Sequence, residues 1–134
     1  MPKFSQKSLE RLHTCDPKLV EIFEEVIKYY DCTIICGVRS KEEQEEAFRT
    51  GKSKLRWPNS LHNVSSPDKK SRAVDVAPCP INWTNYKAFY HFAGFVKGIA
   101  AQKGIELRWG GDWDSDFDFS DQNFNDLPHF ELVG

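Results

Sequence analysis

Two histidines and one aspartate of this chain have the residue types of a zinc site. Asp75 lies inside the apolar run 73–77, where an ionised carboxylate is costly unless it meets a cation, a metal or hydrogen-bond donors. The imidazoles of His62 and His129 would add two neutral nitrogens, a donor set that suits Zn(II) and leaves a fourth position for water. Spacing alone leaves an alternative open, in which both histidines are ordinary loop or strand-end residues and Asp75 is a salt-bridged strand residue.

The cysteines offer a second kind of ligand. Four cysteines (Cys15, Cys32, Cys36 and Cys79) are too few and too scattered to define a disulfide scaffold, so we expect them to be reduced. Cys32 and Cys36 could bind a metal as a pair, but in so apolar a run a small buried thiol is the commoner role.

Aspartates alternate along a segment near the carboxyl end of the chain. Oxygens from Asp112, Asp114 and Asp116 could collect around a hard cation such as Ca(II). The glycine and the terminal glutamate of an EF-hand loop are absent, which favours a solvated acidic loop over a second cation site.

Helices and short strands must position these groups. Asp16 supplies an N-cap and Pro17 a first helical position, and apolar residues then recur with helical spacing to about Tyr30. Residues 32–38 form a β-branched run typical of a buried strand. Ser40 and Glu43 then make a capping box that starts a helix, which we expect Gly51 to end. Arg39 therefore lies at a junction between a strand and a helix.

The second half of the chain has the same mixed character. Residues 52–72 are polar and predict a long loop, and residues 73–77 alternate like a strand. We expect Thr84 to cap a helix that ends at Gly104, with strands over 105–109 and 129–133. The pattern predicts one α+β domain over residues 1–134, with a small, mostly antiparallel sheet and flanking helices.

Composition limits the function classes. The formal net charge of -2 argues against a dedicated nucleic-acid binder, and the interspersed charges argue against a membrane span. The first 12 residues hold no apolar run of the kind that a secretory signal needs, so we expect synthesis in a cytoplasm.

Several ordered motifs resemble one family. Three segments resemble the split motif of the D-Ala-D-Ala carboxypeptidase and L-alanyl-D-glutamate endopeptidase family of zinc peptidases, which includes many phage endolysins: Ser60-Leu61-His62, Ser71-Arg72-Ala73-Val74-Asp75 and Asp126-Leu127-Pro128-His129. The family pattern SxHxxGxAxD has a shorter gap between histidine and aspartate, and glycine where Ser71 stands. An insertion in a surface loop costs little in closure entropy, so the anchored ends need not move.

The resemblance implies a role for each site residue. His62, Asp75 and His129 would hold one Zn(II) per chain on the sheet and adjoining loops, and Asp126 would be the general base. Arg39 would stabilise the oxyanion, its alternative being a structural salt bridge. Glu131 would be a partner of a ligand or a rival base, and Ser60 would bind substrate or serve a turn.

The resemblance also implies a zinc-dependent peptidoglycan peptidase of the endolysin type, most similar to enzymes that cleave the L-alanyl-D-glutamate bond. The alternatives are a D,D-carboxypeptidase or dipeptidase with the same site and a non-catalytic wall-binding module. The expected partner is bacterial peptidoglycan, the expected state a monomer, and the expected route release from the host cytoplasm onto the wall.

Overall fold

A computed structural model describes residues 2–113 and 126–134 of the chain. Over these residues the elements are α1 (Gln6–Leu12), α2 (Pro17–Val26), β1 (Cys32–Cys36), α3 (Lys41–Arg49), β2 (Ala73–Pro78), α4 (Tyr86–Gln102), β3 (Leu107–Trp109) and β4 (His129–Leu132). The strands form one sheet in the order β1-β2-β4-β3, and each neighbouring pair is antiparallel. This is the predicted α+β class with a small antiparallel sheet.

The helices that the sequence marks with caps begin where predicted. The Asp16 carboxylate accepts a hydrogen bond from the amide of Lys18 at the start of α2. Both hydrogen bonds of the capping box between Ser40 and Glu43 are present at the start of α3. These local hydrogen bonds therefore fix the start of α3, directly after Arg39.

Other boundaries differ from the prediction. Asn85 and not Thr84 caps α4, because the Thr84 hydroxyl donates to Asn82 instead. Helix α2 ends at Val26, and turns carry the chain to the following strand. Three strands are also shorter than predicted, and α1 is a short helix that apolar periodicity does not reveal.

The core lies between the sheet and the two longer helices. Phe130 of β4 makes edge contacts with Phe23 of α2 and with Phe92 of α4, at ring-centroid distances of 5.6 and 6.1 Å. Helix α4 packs against α2 and against strands β2 and β3. Burial of these aromatic rings gives the sheet a rigid support from which polar side chains can be presented.

Strand pairing brings three polar residues into one row across the sheet. Asp75 at the centre of β2 is paired with Cys36 of β1 and with His129 of β4. Strand β1 has an irregularity between Ile34 and Cys36, next to this row. The functional groups therefore lie where a bulge changes the direction of the edge strand.

Within the described part of the chain, none of the helices combines the length and the apolar character needed to span a bilayer.

Candidate active site

Three ligand atoms from distant parts of the chain form a nearly equilateral triangle. His62 Nε2 lies 3.2 Å from Asp75 Oδ1 and 3.2 Å from His129 Nδ1, and His129 Nδ1 lies 3.3 Å from the same Asp75 oxygen. Ligands held 2.0 to 2.1 Å from a tetrahedral zinc ion lie about 3.3 Å from one another. The triangle therefore has the size that one zinc ion requires.

The outer nitrogens of both histidines are held by acceptors. His62 Nδ1 lies 2.8 Å from the carbonyl oxygen of Gly37, and His129 Nε2 lies 2.7 Å from a carboxylate oxygen of Glu131. A neutral imidazole that donates to these acceptors keeps its lone pair on the inner nitrogen, as metal-ligating histidines do. The donor set is thus oriented for a metal as well as spaced for one.

The charges of the triangle stabilise one another. Burial raises the pKa of Asp75, but His62 and His129 outweigh it and hold that pKa well below its usual range. Burial lowers the pKa of each histidine, but Asp75, together with Cys36 at His62 and Glu131 at His129, outweighs burial, so both pKa values are raised. Asp75 is therefore an anion buried beside two imidazoles. These partners explain how an apolar strand can carry a buried carboxylate.

Asp126 lies beside the triangle and has a different environment. One of its carboxylate oxygens is 3.9 Å from His129 Nδ1. Burial, followed by the negative charge of Asp75, raises the pKa of Asp126 to about 6. A carboxylate with its pKa close to neutrality is suited to accept and return a proton during catalysis.

Gly110 fixes the backbone of Asp126. The amide of Asp126 donates to the Gly110 carbonyl over 2.9 Å, and the amide of Gly110 donates to the His129 carbonyl over 2.8 Å. A Cβ atom on Gly110 would lie 2.0 Å from the Asp126 carbonyl oxygen, which is far inside contact distance. Only glycine allows this close approach, so this residue controls where Asp126 sits.

Arg39 is held in a buried polar network. Its Nη2 lies 3.2 Å from the second oxygen of Asp75, and its Nη1 donates to Gln44 Oε1 over 2.9 Å. Gln44 is fully buried in α3, and its amide nitrogen donates to the Leu55 carbonyl and to the Ser53 hydroxyl. The structural salt bridge that was the alternative role for Arg39 is therefore present, and it joins the guanidinium to a residue of the triangle.

The long loop enters the site through a tight turn. The Ser60 hydroxyl accepts a hydrogen bond from the amide of His62, and the amide of Ser60 donates to the Asn63 side chain. The amide of Arg39 donates to the carbonyl of His62 over 2.9 Å. Ser60 therefore serves the turn that presents His62, one of its two predicted roles.

Cys36 adjoins the triangle. Its sulfur and ligand atoms of His62 and Asp75 lie within 4.8 Å of one another, as do ligand atoms of Asp75, Asp126 and His129. All four cysteines are free, and Cys32 joins no such group within the described ranges. The paired-ligand alternative for the two β1 cysteines thus has no counterpart in this geometry.

The predicted second cation site is described only at its first residue. Asp112 is buried, and its charge opposes the lowering of the Lys97 pKa that burial causes. Asp114 and Asp116 lie outside the described residues.

Two clefts meet at Asp126. One, of about 250 Å³, is lined by the triangle histidines and also by Arg39, Lys54 and Trp113. The other, of about 440 Å³, is lined by Trp83 and by aromatic residues of α4. Trp109, by contrast, is buried in the core and lines neither cleft.

Sequence reasoning missed two residues that support the site, Gln44 and Gly110. A glutamine on a helix that is otherwise charged and exposed has no local signal of burial, since its partners come from a separate loop. Gly110 stands in a Gly-Gly pair, which marks close backbone approach but not its partner.

Comparisons with known proteins identify a family and two similar proteins. A family model described as phage L-alanyl-D-glutamate peptidase matches residues 1–133. The L-alanyl-D-glutamate peptidase of Escherichia phage T5 is 28% identical over 139 residues, which cover 98% of each chain. The crystal structure of the Serratia marcescens L-Ala D-Glu endopeptidase ChiX matches with a TM-score of 0.72 and 27% identity, over 98% of this chain and 90% of that one.

Proposed function

The chain belongs to the phage L-alanyl-D-glutamate peptidase family, and on this premise we propose that it hydrolyses the L-alanyl-D-glutamate bond in the stem peptide of peptidoglycan. It is a hydrolase of the peptidoglycan peptidase class, as its relatives are. The observation that carries the mechanism is the triangle of His62, Asp75 and His129 with Asp126 beside it.

These residues fit a single zinc ion. The edges of the triangle match tetrahedral zinc, and each histidine has an acceptor on its outer nitrogen. When bound, zinc supplies Lewis-acid chemistry that makes a water molecule more acidic and polarises a carbonyl group. His62, Asp75 and His129 are the proposed ligands of that ion.

Asp126 is the proposed general base. With a pKa of about 6, its carboxylate is ionised at neutral pH and accepts the proton of the attacking water. The same proton then passes to the leaving amine of D-glutamate, so Asp126 ends the reaction ionised as it began. Arg39 points its guanidinium toward the same space and stabilises the negative charge that develops on the carbonyl oxygen.

The biological setting follows from the family. We propose that the chain acts as a monomer of the endolysin type, made in the host cytoplasm and active on the cell wall after release. Bacterial peptidoglycan is then its macromolecular partner.

Digestion of purified peptidoglycan tests the bond. The expected product has a new amino-terminal D-glutamate, measured by labelling the amine and by mass spectrometry of the fragments. Release of free D-alanine would assign a carboxypeptidase instead. No release by the zinc-loaded protein would assign a wall-binding module.

The Asp126→Asn variant tests the base. Its shape is nearly unchanged, so we expect full zinc content and a loss of turnover of about 10² to 10⁴. Full turnover in this variant would transfer the role of base to another residue, with Glu131 the first candidate.

A further inference from the structure

The larger of the two clefts, hereafter the aromatic cleft, is not used by the mechanism above. It is lined by Trp83, Tyr86, Phe89 and Tyr90, and Asp126 is also one of its lining residues. Tyr86, Phe89 and Tyr90 lie on one face of the first turns of α4, since residues three and four apart share a face. Its volume of about 440 Å³ is that of a small-molecule site.

We propose that the aromatic cleft binds the N-acetylmuramic acid sugar to which the stem peptide is attached. This inference rests on the proposed function, because it uses the chemistry on the amino-terminal side of the scissile bond. It assigns the glycan strand, as well as the peptide, to the substrate that the protein recognises.

The connection between the clefts supports this assignment. Asp126 lines both of them, so a substrate whose scissile amide lies at Asp126 extends into the aromatic cleft on one side. On its amino-terminal side the substrate has only one alanine and a lactyl group before the sugar ring. At about 3.5 Å for each unit, the sugar lies roughly 7 Å from the scissile carbonyl and must occupy whatever adjoins the base.

Charge decides which side of the substrate each cleft takes. D-Glutamate is linked through its side-chain carboxyl to the next residue, so its α-carboxylate is free and negative. Besides the carboxylates Asp126 and Glu131, the smaller cleft carries the cations Arg39 and Lys54. Glu131 is paired with Arg108, and Arg39 with Asp75. Lys54 is the cation that complements that anion. Among the described residues, the aromatic cleft has no cation and Asp126 as its one charged group, which fits an uncharged sugar better than a carboxylate.

The exposed rings have the right chemistry for a sugar. Trp83 is 51% exposed and Tyr86 is 60% exposed, although both are large aromatic residues. Trp83 is also held in place, because its ring stacks on Phe89 at a centroid distance of 5.6 Å. The negative face of an aromatic ring attracts the weakly positive C–H groups of a pyranose, and the indole and phenol edges can hydrogen-bond to its polar groups.

Two substrates that differ only in the sugar test the proposal. One is the disaccharide-linked stem peptide from muramidase-digested wall. The other is the same stem peptide after an amidase has removed the sugar with its lactyl group and the new amino terminus has been acylated with lactic acid, so that the alanine nitrogen stays an uncharged amide. For Trp83→Ala we expect kcat/KM on the sugar-linked substrate to fall about five- to tenfold, with little change on the free peptide. Trp83→Phe keeps an aromatic face and should recover most of the loss.

Tyr29→Ala is the matched control, since Tyr29 is 68% exposed and lines neither cleft. It should leave kcat/KM on both substrates unchanged. An equal fall on both substrates for Trp83→Ala would overturn the proposal and assign the cleft to the peptide or to the fold. No fall on either would leave the cleft without a role in binding and would also overturn it. If the wild-type protein cleaves neither substrate, it is the proposed function that fails.

Discussion

The two ring nitrogens of His129 face different partners. Nδ1 points into the triangle, while Nε2 lies 2.7 Å from Glu131, whose pKa is lowered because His129 and Arg108 together outweigh burial. We therefore propose that Glu131 orients the histidine and that Asp126 exchanges protons. The different neighbours of these two carboxylates favour separate roles for them.

Glu131→Gln should therefore weaken metal binding. The amide is a poorer acceptor for the imidazole N–H, so the apparent Kd for zinc should rise about ten- to a hundredfold. Competition with a chromophoric chelator measures this constant. Once the variant is saturated with zinc, its turnover should be close to that of the wild type.

Glu106→Gln is the control for that change, because Glu106 is an exposed carboxylate just before β3. It should leave the zinc Kd unchanged. A Glu131→Gln variant that binds zinc normally and has lost turnover would contradict the assignment and make Glu131 the base.

Helix α3 carries no residue of the triangle, yet it positions one side chain of the site. Its one buried residue, Gln44, joins the Arg39 guanidinium to the carbonyl of Leu55 on the following loop. Removing the fully buried Gln44 amide would be costly, because several buried polar groups would lose their hydrogen-bond partner. We infer that Gln44 is a positioning residue that acts through Arg39.

Gln44→Met keeps the volume of the side chain and removes its hydrogen bonds. Misplacing a transition-state donor by about 1 Å costs on the order of a hundredfold, so kcat should fall about ten- to a hundredfold. KM and zinc content should change little. The exposed Gln102→Met on α4 is the matched control, and a kcat for Gln44→Met equal to that of the control would remove the positioning role.

Local patterns predict the elements that contain their own signals. The capping box at Ser40 predicts the start of α3, and the apolar run around Asp75 predicts β2, because each pattern is complete within a few residues. The choice of Asn85 over Thr84 as a cap depended on Asn82 competing for the hydroxyl, which propensity alone does not decide. Glu131 is predicted as a partner of His129 because the two residues are two apart on one strand. Gln44 takes its role from contacts between separate elements, which no spacing rule reports.

The loop between His62 and Asp75 is longer than in the family pattern, and the sequence alone does not show whether its extra residues disturb the site. Its far end is fixed by Ser71, which pairs with the link between α1 and α2 through Thr14 and Asp16. Near the other end, the amide of Arg72 donates to the carbonyl of Leu61 across the base of the loop. The extra residues therefore project between closed ends, as expected for an insertion that costs only closure entropy.

Because the proposed ligands come from a loop, a central strand and the last strand, zinc binding should stabilise the whole fold. At a free zinc concentration about a hundred times its Kd, the gain is about 2.7 kcal/mol, which for a chain of this size raises Tm by about 10 °C. Differential scanning calorimetry with and without a chelator measures the shift.

His129→Ala removes one corner of the triangle, so adding zinc to that variant should leave its Tm nearly unchanged. Mg²⁺ prefers oxygen ligands in an octahedron and should not replace zinc in the wild type. A shift of equal size in His129→Ala, or with Mg²⁺, would mean that the stabilising metal binds elsewhere, and the ligand assignment would then fall.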